Sequence, residues 1–245
     1  MESILELSEF VINIFNAVMP SVNNANPAVV LGAGVAASVM PVVRNIADKA
    51  SSWKLQFLLK GVFRDGHKDC NKEKLFNYIK KDNKNAETVS DLISKSMNSQ
   101  SKLIPFLYGL ILSAYVEKDA FFSGDDMLIC YALSHAIESD VIIFNEIFDN
   151  LVETREKENQ VVGVRDVIID GNIRISIDEI RRTCLWANNN RLFSHVQRHN
   201  SELVYKKNEN GEIWTMFRTE PASFLLKEHL DNHKSVLEPL LHVSE

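Results

Sequence analysis

Four histidines stand in two pairs at helical spacing. His195 and His199 are four residues apart, and so are His229 and His233. On a helix such a pair shares one face and can offer two imidazoles to a metal such as zinc. Cys184 is a candidate third ligand. However, HLDNH (229–233) lacks the Glu that follows the first His in the zincin pattern, and Cys70, Cys130 and Cys184 form no CxxC pair. No metal site is therefore expected, and the histidines read as surface or core residues. Gly32-Ala33-Gly34 lacks the third glycine and the βαβ setting of a dinucleotide fingerprint. Asp125-Asp126 and Asp178-Glu179 fall at helix starts, where carboxylates complement the helix dipole. With no P-loop, nucleophile elbow or Ser/His/Asp signature, no catalytic residue and no cofactor are assigned. The expectation is a protein that is not an enzyme.

Binding chemistry is more visible. Between Ile180 and Ser201 there is no acidic residue, while Arg181, Arg182, Arg191 and Arg198 give a +4 island in a chain of net charge -6. Lys206 and Lys207 extend it, and Arg218 follows. Arg and Lys suit phosphate contacts, and Asn190, Gln197 and Arg198 are types that read base edges. Arg181, Arg182, Asn190, Arg191, Gln197, Arg198, Lys206 and Lys207 are thus the candidate nucleic-acid-binding residues. Glu202, Glu209, Glu212 and Glu220 dilute the patch, and arginine-rich helix faces are often only solvated.

A second unusual region lies near the N-terminus. Phe10 to Val43 carries no charged residue, and Ala28 to Val43 is nearly all apolar. That run is shorter than the roughly 20 residues of a spanning helix. Two readings stay open: a buried core segment, or a membrane or partner contact through Val30, Leu31, Gly34, Val35 and Val39. Small residues there would allow close helix approach, but the five Asn between 13 and 26 would be costly in lipid. Leu103 to Val116 is a shorter apolar stretch and reads as a core helix. The first residues lack the basic region of a secretory signal, and three scattered Cys suit a reducing compartment, so the expected location is cytoplasmic, with peripheral attachment to the inner membrane as an alternative.

The elements that must position these residues are mostly helices. Apolar spacing of three and four predicts helices over 2–19, 27–45, 52–63, 72–81, 86–97, 102–118, 127–137 and 140–156. Ser123 and Ser139 are placed to cap the last two. After Glu158 the chain turns rich in Val and Ile, with the tight-turn dipeptide Asp170-Gly171 inside a strand or hairpin at 164–175. Ser176-Ile-Asp-Glu179 matches the capping box and predicts a helix over 177–187. A second short helix is expected over 191–199, strands over 203–207 and 212–217 around a turn, and a final helix from Pro221 to His233. The fold class is thus mainly α. A helical bundle-like region (1–122) and connecting helices (123–160) precede an α+β domain (161–233, with its first helix from 139–153) that holds a small antiparallel hairpin, and 234–245 is a tail.

This order resembles a winged helix-turn-helix domain, with 177–187 and 191–199 as the two helices and 203–217 as the wing. The resemblance covers about the last 100 residues and rests on element order. It implies a second helix entering the DNA major groove and a hairpin touching the backbone. Winged helices also serve as protein-interaction or dimerisation modules, so DNA, a protein partner or a second copy of the chain are all expected partners. The layout of an apolar, glycine-containing leader ahead of helices is also broadly similar to bacterial abortive-infection proteins. That similarity implies the alternative of a membrane-active, phage-defence effector working through residues 28–43.

Overall fold

The computed structural model describes residues 49–63, 72–154, 160–163, 167–169, 173–195, 205–207, 213–233 and 237. Among them the chain is mainly helical. It divides into two compact units, Met1–Phe122 and Ser123–Glu245.

Four helices are described in the first unit: α1 (Lys49–Val62), α2 (Lys72–Lys81), α3 (Asn83–Asn98) and α4 (Leu103–Lys118). The sequence of α4 is apolar on every side, and a helix of that kind must be enclosed. Every side chain from Leu103 to Leu112 that has one is buried, including Tyr108 and Pro105. The main partner of α4 is α1. Gly61 and Gly109 face each other at the crossing, where only the absence of a Cβ lets the two backbones come so close. Asp119 takes a left-handed conformation (φ 50°) and ends α4, and Phe122 then folds back to stack on Tyr115 at 4.3 Å.

Residues 83–85, left between the helices expected over 72–81 and 86–97, begin α3 instead. Asp82 explains the difference. Its backbone is extended, and its carboxylate accepts the Lys84 amide hydrogen at 2.7 Å, satisfying one of the donors that every helix start leaves open. Asn85 in the first turn is buried and donates to the Tyr78 carbonyl at 2.9 Å, joining the end of α2 to the start of α3.

The second unit holds helices α5 (Gly124–Ser134), α6 (Glu138–Leu151), α7 (Ile177–Asn189) and α8 (Pro221–Asp231). Its strands are β1 (Val152–Thr154), β2 (Gln160–Gly163), β3 (Val167–Ile169), β4 (Ile173–Ile175), β5 (Phe193–His195), β6 (Tyr205–Lys207) and β7 (Ile213–Thr219). The small hairpin expected from sequence is part of a larger sheet. β7 is its centre: β2 pairs on one side, β5 and β6 on successive stretches of β7 complete the pairing, and β1 pairs with β2, all antiparallel. β3 and β4 form a separate antiparallel hairpin across residues 170–172.

The local helix signals act as their chemistry requires. Ser123 accepts the Asp126 amide hydrogen at 3.1 Å and starts α5. Ser176 and Glu179 form the full reciprocal capping box of α7. The expected cap at Ser139 differs: Asp140 accepts the Ile137 amide hydrogen at 3.1 Å and α6 begins two residues earlier than expected, at Glu138.

The helix expected over 191–199 does not form where the chain is described. Arg191 is left-handed (φ 60°), the Leu192 amide donates back to the Ala187 carbonyl at 2.8 Å, and α7 closes there. Phe193 to His195 then run as β5. The cause is tertiary: Phe193 is fully buried among Phe144, Phe148 and Phe217, at ring-centroid distances of 5.6, 6.1 and 6.4 Å. Burying an aromatic ring of that size outweighs a weak local preference for helix.

Candidate interaction surface

Part of the expected basic island is committed to structure. Arg181 pairs with Asp178 one helical turn before it, at 2.8 Å. Arg182 reaches from α7 to the start of α6, where it donates to the Ser139 hydroxyl at 3.0 Å and stands 3.4 Å from the Asp140 carboxylate. Thr183 donates to the same carboxylate at 3.5 Å. Asp140 is buried, so these partners, together with the Ile137 amide, compensate its charge.

Asn190 is buried rather than presented to a ligand. Its side-chain amide donates to the Trp186 carbonyl at 2.8 Å, which also accepts the Asn190 backbone amide hydrogen at 3.1 Å, so both groups of Asn190 secure the end of α7. Arg191 is exposed, and so is Arg218 on β7, whose register partner on β5 is Ser194. Neither arginine has an ion pair among the described residues. Lys206 and Lys207 lie on β6, opposite Trp214 and Ile213 of β7. Gln197 and Arg198 fall outside the described residues, as do Val30, Leu31, Gly34, Val35 and Val39. Among the described residues, no helix is long and apolar enough to cross a membrane.

A different set of side chains ties α5, α6 and α7 together. The Trp186 indole of α7 donates to the Ala132 carbonyl near the end of α5 at 3.1 Å, and Arg182 holds the start of α6. Close in sequence to these tethers, three large apolar side chains have about half their surface in solvent: Tyr131 at 52%, Ile137 at 55% and Leu185 at 43%. Met127, one turn before Tyr131, is also exposed. The Tyr131 ring lies 4.6 Å from that of His135, whose Nδ1 is 3.0 Å from the Tyr131 carbonyl oxygen.

Sequence reasoning missed this group. Ile137 falls at the end of the helix expected over 127–137, and Leu185 within the helix expected over 177–187, with no face assigned to either. The only available signal was that neither falls on the stripe formed by Ile180, Thr183, Cys184 and Ala187 or by Val141, Phe144 and Ile147.

Among the described residues, both cysteines are buried and His229 is paired. Burial pushes the Cys184 thiol up to about 12, far from the range of a nucleophile at neutral pH. Cys130 is also buried. His229 of α8 stands 3.3 Å from the buried Asp126 of α5, and among the described residues no three His, Cys, Asp or Glu side chains are placed to hold a metal ion. The chain matches no protein-family model, no curated protein and no solved structure.

Proposed function

We propose that the chain is a non-enzymatic recognition protein whose second unit contacts a protein partner at the α5–α6–α7 junction. The observation that supports this reading is the exposure of Tyr131, Ile137 and Leu185, each close in sequence to a residue that ties these helices together. On this reading the three side chains form one apolar patch, and such patches mark contact surfaces, where tyrosine is enriched. Charge favours protein over nucleic acid. Residues 123–245 hold 13 Lys and Arg against 21 Asp and Glu, a net of -8, which repels a phosphate backbone. A second copy of the chain qualifies as such a partner.

The test is photocrosslinking in cells from a benzoylphenylalanine placed at position 131, with position 98, an exposed site in the first unit, as the control. A discrete adduct from 131 alone, whether with another protein or with a second copy, supports the reading. No adduct from 131, or the same adducts from both positions, sinks it.

A second reading, contact with duplex DNA, is favoured by one observation: Arg191 and Arg218 are exposed cations with no ion pair among the described residues. In this version the β6–β7 hairpin acts as the wing of the winged-helix resemblance, and its lysines join the two arginines on the phosphates. Duplex binding that weakens steeply with salt, and weakens further in Arg191→Gly/Arg218→Ala, supports it. A wild-type protein without salt-dependent binding ends it.

A further inference from the structure

We draw no further inference here: the strongest candidate, the surface patch where exposed Phe121 stands beside Lys84 and near Lys81 and Lys118 at the joined ends of α2, α3 and α4, has its lysine charge matched by Asp82, Glu87 and Asp119, and nothing in the structure shows what covers it.

Discussion

Gly61 and Gly109 meet where α1 crosses α4, so closely that a Cβ added to Gly109 would lie 2.0 Å from the Leu58 carbonyl oxygen. A Cβ on Gly61 would lie 2.2 Å from the Phe106 carbonyl oxygen. Both obstacles are backbone, which cannot swing aside as a side chain does. In an open helix, replacing Gly by Ala stabilises by about 0.5–1 kcal/mol. Here the sign reverses, because the two helices must separate and lose contacts along the crossing. Gly109→Ala is expected to destabilise by about 2 kcal/mol or more, in the range of an overpacked core. Urea unfolding measures it. A variant as stable as wild type would show that the helices do not cross this closely.

The α7 capping box gives a pH-dependent prediction. Glu179 is held below its ordinary value of 4.5, first by the hydrogen bond from the Ser176 backbone amide and then by the one from its hydroxyl. A carboxyl depressed in the folded state adds stability above its unfolded value, and that stability is lost as pH falls through the folded value. Ser176→Ala is expected to cost about 1 kcal/mol near neutral pH, as loss of an N-cap does. Glu179→Gln should flatten the acid limb of the stability curve below about pH 4.5, where the wild type loses this contribution. Because Glu179 is almost fully exposed, water weakens the effect and it should be small. Chemical unfolding across pH 3 to 7 reads both variants, and parallel curves for wild type and Glu179→Gln would refute the coupling.

Lys227 fixes α8 to α6. Its side chain is mostly buried, lies 2.7 Å from Asp149, also pairs with Asp231, and donates to Asn145 at 3.1 Å. Burial alone would lower its pKa, but the bonds to Asp149 and Asp231 more than offset that, and the net shift is upward from 10.5. A lysine raised in this way contributes stability that is complete below its unfolded value and is lost as pH rises through the folded one. The second unit should therefore weaken above about pH 10.5, and Lys227→Met should remove that alkaline slope. The cost of the substitution at neutral pH should be about 1 kcal/mol, because both carboxylates are half in water and remain solvated. Thermal unfolding at pH 7 and at pH 11 distinguishes the two proteins.

What could be read from sequence follows the range of each interaction. Ser176 and Glu179 are three residues apart, so their capping box was legible, and α4 announced its burial by having no polar face. The Asp82 cap was equally local, but 82–85 hold no apolar residue, so apolar spacing alone starts the helix only at 86. The pairing of Arg182 with Ser139 and Asp140 spans about 43 residues, and no local pattern reveals it. That is why an island of positive charge looked free for phosphate when part of it was already matched. β5 failed for a similar reason: the pull on Phe193 comes from Phe144 and Phe217, both distant in the chain. The exposed Tyr131, Ile137 and Leu185 became visible only once the buried faces of their helices were known.

Arg191 separates stability from recognition in one substitution. Its φ of 60° lies in the left-handed region, where a Cβ costs roughly 1–2 kcal/mol and glycine costs nothing comparable. It occupies the position just past a helix end that glycine most often takes. The chain therefore keeps a strained residue with a charged, exposed side chain where a glycine would sit more easily. Arg191→Gly is expected to raise the stability of the second unit by about 0.5–1 kcal/mol, the strain relief being partly offset by the greater freedom of glycine in the unfolded chain. If the guanidinium serves a phosphate contact, the same variant should bind duplex DNA more weakly and lower the salt slope by about one. Greater stability with unchanged binding would remove Arg191 from the DNA reading and leave the apolar junction as the surface to pursue. A loss of stability would instead show that the arginine side chain supports the end of α7 through contacts that outweigh its backbone strain.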